Sequence, residues 1–212
     1  MTKVENVGAK YTRHTRDDVV DAALRILDQH GLPDLTMRRL GATLDVQPSA
    51  LYWHFANKQT LLASIADRIV ERARPVNPTD DDWKGAARAE AYALRDALLA
   101  FRDGAEVVSS TLALGLGAGL PLNLLSNSLE RAGFDRKTSG IAAAALLHFI
   151  LGHVSHEQQR LQADSLGVVA EAASVNSPDY HVTPQALEAF EFGITLLLAG
   201  LELQSHASTK PV

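Results

Sequence analysis

Tyr52, Trp53 and His54 stand side by side between Leu51 and Phe55, with Asn57 and Lys58 just beyond. Within about two helical turns the chain offers a phenol, an indole, an imidazole and an ammonium. Such groups supply hydrogen bonds, flat faces and a positive charge, which suits contact with a polar, planar, anionic surface; double-stranded DNA is the first candidate. Leu51 and Phe55, four residues apart, share a helical face and read as core. The stripe is too short, and too polar at its edges, to form a core alone.

His148, His153, His156 and Glu157 form a second chemistry-bearing group. His153, His156 and Glu157 have the spacing of one helix face, but His148 lies about 500° round the helix from His153 and off that face. Zinc needs three or four converging ligands, so no metal site and no cofactor are expected. These histidines read better as neutral, hydrogen-bonded groups at a pocket edge or subunit interface. Their diverging phases also leave no acid–base set for an enzyme, although turnover or a bound metal would revive that reading. The chain has no cysteine, which excludes disulfides, thiolate metal sites and cysteine nucleophiles.

Helices must position these groups, and the punctuation for them is clear. Thr15 followed by Asp17 and Asp18 reads as an N-cap with acids in the first turn. Val19, Ala22, Ala23, Ile26 and Leu27 then recur at helical spacing up to Gly31. Thr36 opens a short helix to Leu44, Asp45-Val46 turns sharply, and a third helix runs over 47–54 with Pro48 in its first turn. Asn57 caps a fourth helix to about Arg74. Pro75 to Asp82 is proline-rich and charged, and marks a domain boundary. Beyond it only helical patterns follow: Trp83 to Arg102, Gly104 to Gly117, Pro121 to Ala132, a long helix from Asp135 or Thr138 to Ala163, and a last one from Thr183 to Ser205. Asn176-Ser177-Pro178-Asp179 reads as a loop. The expected fold is all-α, with nine or ten helices and no repeat.

Composition is that of a globular protein, with 46% apolar and 21% charged residues. Net charge is −5, against indiscriminate nucleic-acid coating, yet residues 1–74 carry +2 and the remainder −7. Lys3, Lys10, Arg13, Arg16 and His14 make residues 1–14 and their junction a basic arm suited to phosphate. The polar N-terminus lacks a signal-peptide core, and no uninterrupted apolar run reaches the roughly 18 residues of a bilayer span. A cytoplasmic protein with no membrane partner is expected.

The segments 36–44, 45–46 and 47–54 have the punctuation of a helix-turn-helix, whose second helix enters the major groove. In detail, Ala22-Ala23-Leu24, Gly31-Leu32, Leu35 to Leu40, and Leu51 to Phe55 with Asn57-Lys58 resemble the tetracycline-repressor (TetR) family of transcriptional regulators. The likeness extends through Arg95 to Leu99, Arg102 to Ala105, Gly133-Phe134, His148 to Gly152 and Glu157 to Gln159, to cover nearly all of 15–205. The resemblance implies a three-helix DNA-binding domain over 15–74 with its connecting helix. It also implies a larger helical domain over 83–205 for ligand binding and dimerisation.

Carried over by position, the resemblance gives base contacts to Arg38, Gln47, Pro48, Ser49, Ala50 and Tyr52, with Trp53, His54 and Lys58 gripping phosphate or buttressing the helix. Arginine can address guanine and glutamine adenine, while Pro48 and Ala50 can meet thymine methyls. The family commonly has threonine where Met37 and Ala50 stand, which implies a different operator. Arg39 reads as a solvated charge. In tetracycline-binding members a histidine, an asparagine and a phenylalanine hold the drug and a second histidine takes its magnesium. Those positions are here Arg74, Glu90, Leu94 and Val108; a pocket glutamine becomes Leu125, and an acidic position becomes His156. Only His148 remains of the polar set. Magnesium wants oxygen ligands and Val108 has none, so no tetracycline response is expected. Leu94, Val108, Leu112, Leu125 and Phe149 instead imply apolar walls, with Arg74 and Glu90 as orienting charges or as a mutual pair. The helices at 138–163 and 183–205 carry stripes suited to a homodimer, the symmetry needed to read a palindromic operator. The expected function is therefore ligand-responsive repression; a regulator without inducer, or an activator, is the alternative, favoured if the cavity is filled by its own side chains.

Overall fold

The computed structural model describes residues 14–73, 82–117, 119–165 and 182–208. The basic arm before His14, Arg74, the boundary up to Asp81 and the loop at Asn176 to Asp179 lie outside them. Among the described residues there are nine α-helices and no strand.

The first four build the head. In α1 (Arg16–His30) Thr15 and Asp18 form a capping box, each side chain meeting the other residue's backbone N–H, and Gly31 ends the helix at φ 82°. Thr36 caps α2 (Met37–Thr43), and Pro48 starts α3 (Pro48–Leu51). Regular helix in α3 is shorter than the 47–54 expected. The cause lies in the backbone, where Trp53 and His54 donate to Ala50 and Leu51 three residues back, tightening the end into turns. Asn57 and Thr60 box the start of α4 (Lys58–Val70). Val19, Ala23, Ile26 and Leu27 of α1 are buried together with Leu40, Leu51, Phe55, Leu61 and Ile65. Arg16 clamps this frame, its guanidinium 4.5 Å over the Phe55 ring and donating to the Ser64 hydroxyl at 2.8 Å.

Asp45, between α2 and α3, sits at φ 54°, a left-handed backbone that disfavours a side chain. Asp45→Gly is expected to stabilise the protein by about 0.5–1 kcal/mol, the relief of that strain less the extra freedom glycine gives the unfolded chain. A urea midpoint at or below that of the parent protein would disprove the strain.

The body comprises α5 (Trp83–Leu99), α6 (Gly104–Ala113), α7 (Gly119–Arg131), α8 (Arg136–Ser165) and α9 (Val182–Ser208). Helix α6 stops short of the expected Gly117, because Gly115 and Gly117 adopt φ 68° and 63°. Helix α8 is long and apolar enough to cross a membrane by length and composition alone. The unbroken-run criterion missed this, since His148, Gly152 and His153 interrupt the run. Its Ala143, Leu146, Leu147, Ile150 and Val154 are spent on the protein core, against α5, α6, α7 and α9.

Two polar devices hold the body and tie it to the head. Gln158 on α8 donates to the carbonyls of Leu98 (3.0 Å) and Phe101 (2.8 Å) and accepts from the Ala105 N–H (3.2 Å), so one amide joins the end of α5 to the start of α6. Asp103, itself left-handed at φ 56°, accepts from the Leu32 N–H of the head at 2.7 Å and from the Gln162 amide of α8.

Candidate nucleic-acid interface and effector cavity

The turn between α2 and α3 projects one face of the head. Leu51 and Phe55 are buried and anchor it, whereas Trp53 is 90% and Tyr52 52% exposed. An indole left that open in a compact head is unspent on packing. Arg38, Gln47 and Ser49 are exposed around it, and Pro48, Ala50, His54 and Lys58 are half-buried. Two neighbouring arginines divide sharply. Arg39 is held by Asp34 at 2.6 Å, while Arg38 makes no ion pair among the described residues. His14 places a ring nitrogen 2.9 Å from the Leu44 carbonyl, fastening the residue before α1's cap beside the same turn.

In the body, Glu90, Leu94 and Leu125 meet around a cavity completed by Val70, Ala73, Pro121 and Leu124. Its volume is about 10 Å³, room for a single water. Leu94 and Leu125 are each 2% exposed, so the walls themselves fill most of the space. The Ser128 hydroxyl donates to Oε1 of Glu90 at 2.7 Å, and Arg131 donates to that same hydroxyl at 3.0 Å. Oε2 of Glu90 is buried without a hydrogen-bond partner among the described residues. Burial pushes this carboxyl above the ordinary glutamate range, against the lowering influence of Ser128 and Arg131.

The other residues expected at the ligand site stand elsewhere. Val108 is wholly buried and Leu112 half-buried against the core, and neither lines the cavity. Phe149 stacks on Phe190 at 5.9 Å. His148 and His156 are exposed on α8. His153 places Nε2 2.9 Å from the Ala186 carbonyl of α9, and burial pushes its pKa below the usual histidine range. Among the described residues no three His, Asp or Glu side chains cluster as metal ligands. Sequence spacing did not reveal that Glu157 ion-pairs with Arg95 across 2.7 Å, nor that Asp103 joins head to body. Only the tertiary fold unites partners so far apart in the chain.

The chain matches two family models: bacterial regulatory proteins of the tetR family over residues 19–65, and the tetracyclin repressor-like C-terminal domain over 74–205. It is 34% identical to the class C tetracycline repressor protein of Escherichia coli, over 88% of this chain and 90% of that one. The crystal structure of Mycobacterium smegmatis BioQ is 40% identical with a TM-score of 0.77, covering 89% of this chain and 97% of BioQ. BioQ with its double-stranded DNA operator matches at 39% identity and a TM-score of 0.72, over 89% and 98%. ActR of Streptomyces coelicolor in complex with (S)-DNPA matches at 26% identity and a TM-score of 0.71, over 89% and 97%.

Proposed function

The chain belongs to the tetR family of bacterial regulatory proteins, and on that premise we propose that it is a homodimeric repressor of a palindromic operator, released by a small, largely apolar effector. The observation that carries this reading is the outward Tyr52-Trp53 pair on a buried Leu51–Phe55 anchor, beside an Arg38 that has no ion pair among the described residues. Arg38, Gln47, Pro48, Ser49, Ala50 and Tyr52 face the base edges; Trp53, His54 and Lys58 face the backbone. The similar protein BioQ binds a double-stranded DNA operator, which supports this reading. The protein is a regulator rather than an enzyme, and it works in the cytoplasm where its operator is.

Helices α8 and α9 supply the two-fold contact. They leave Ile141, Leu161, Leu187, Phe192, Leu196 and Leu203 exposed, large apolar side chains that a second copy would cover. An effector acts through α4, whose last turn contributes Val70 and whose continuation contributes Ala73 to the cavity wall. Ligand entry moves that turn and alters the separation of the two recognition helices. Switching requires tighter binding to the DNA-free state. Tetracycline with magnesium is not the effector, because the resemblance puts Val108, which has no ligand atom to give, where the magnesium would be held.

Selection from random duplex DNA by the full-length protein tests the reading. A two-fold consensus supports it; no enrichment at moderate salt counts against it. On the selected operator, Lys58→Ala is expected to weaken binding to all sequences and flatten the plot of log affinity against log salt by about one unit. A sequence-dependent loss with an unchanged slope would remove Lys58 from the phosphate contacts.

The small cavity favours one rival reading, a regulator that needs no inducer. That reading stands if a broad panel of apolar small molecules leaves operator binding unchanged.

A further inference from the structure

Within the effector reading, which this inference rests on, the cavity is chemically lopsided. Its walls are Val70, Ala73, Leu94, Pro121, Leu124 and Leu125, and the one polar group among the described lining residues is Glu90. The Ser128 hydroxyl occupies Oε1 at 2.7 Å and so fixes the plane of the carboxyl group. Oε2 is buried and has no donor among the described residues. Arg131 is turned to the Ser128 oxygen instead of the carboxylate. Buried polar oxygens are almost always satisfied, and an orphan demands a reason. A carboxyl group left without a partner in an apolar wall is a preset acceptor for a donor brought from outside.

We propose that Glu90 makes this cavity an amine site: the effector carries a protonated primary or secondary amine on an apolar body, with its N–H donated to Oε2. The apolar body takes the space between Leu94 and Leu125, and the ammonium sits beside Glu90. A neutral isostere lacks the charge that repays desolvation of the carboxylate, and an anion is repelled by it. The raised pKa of Glu90 agrees with this, since burial among apolar side chains favours the neutral carboxyl. An incoming ammonium reverses that preference. Because Val70 and Ala73 close the cavity from the side of α4, filling it displaces the helix that leads to the head.

Three isosteres test the assignment on the full-length protein: benzylamine, benzyl alcohol and benzoate, titrated by ligand-observed NMR and by release of the selected operator. Benzylamine is expected to bind at least roughly tenfold more tightly than the alcohol, with benzoate weakest. Glu90→Gln should abolish that order, and Ser128→Ala should narrow it. An equal response to all three, or an amine preference that survives Glu90→Gln, overturns the proposal. The two readings fail separately. Glu90-dependent amine binding without operator release upholds the site and removes the effector role. Release by neutral apolar compounds, unaffected by Glu90→Gln, upholds the effector role and overturns the amine site.

Discussion

Arg38→Ala should lower affinity for the selected operator by about 2–6 kcal/mol, roughly 30-fold to 10⁴-fold. Each lost base contact costs about 1–3 kcal/mol and a two-fold complex loses two of them. The protein should fold as before, because the Arg38 side chain is exposed and carries no ion pair among the described residues. Arg39→Ala is the internal control. Its guanidinium is already held by Asp34 at 2.6 Å, on the surface, where such a pair contributes about 0–1 kcal/mol. Competition binding with the operator and with scrambled duplex reads both effects, and circular dichroism reads the fold. If Arg39→Ala proves the more damaging, the groove-facing side of α2 has been assigned to the wrong residue. Tyr52→Ala should resemble Arg38→Ala, since its ring is half exposed while Leu51 beside it holds the helix in place.

Glu157→Ala is expected to destabilise the folded protein by about 3–5 kcal/mol, the usual cost of leaving one member of a buried pair unmatched. Glu157 accepts from Arg95 at 2.7 Å, with side-chain exposures of only 5% and 10%, and the same guanidinium lies 5.5 Å from the centre of the Phe190 ring. The pair already leaves Nε of Arg95 and Oε2 of Glu157 without hydrogen bonds, so it is costly to bury even intact. The double change Arg95→Met with Glu157→Leu should therefore recover most of the loss, because apolar replacements remove both buried charges together. Urea unfolding at one fixed protomer concentration measures both variants, since stability varies with concentration in any oligomer. A Glu157→Ala loss below about 1 kcal/mol would mean that water reaches the pair.

Helix starts were legible because they are written in local chemistry. Thr15, Thr36, Pro48 and Asn57 each act within four residues of themselves, and each occupies the cap or first turn its type implied. Helix ends were less so. The shortened α3 depends on a switch of hydrogen-bond register at Trp53 that no residue type announces, and α6 stops where Gly115 turns left-handed. The head's outward face was readable because Leu51 and Phe55 share a helix phase, which forces Tyr52 and Trp53 out. The cavity was only partly readable. Glu90, Leu94 and Leu125 converge, but Phe149 spends its ring on Phe190 and His148 faces out from α8, since the rotation of a helix about its axis is set by all its neighbours at once. The histidine cluster had the same fate: His153 turned to a backbone carbonyl on a helix that begins far along the chain.

The near-closure of the cavity sets a dose. A space of about 10 Å³ admits no organic molecule until Leu94, Leu125 and the α4 turn move apart. An effector's measured affinity is then its affinity for the open form scaled by how rarely that form is visited. Each 1.4 kcal/mol of opening raises the concentration needed for half-induction about tenfold. If the cavity is the effector site proposed above, the threshold of the genetic response is stored in two leucines that need not differ in chemistry between one effector and another. Trimming either side chain would make the switch more sensitive and the protein less stable, so alertness and durability trade against each other at a single packing contact.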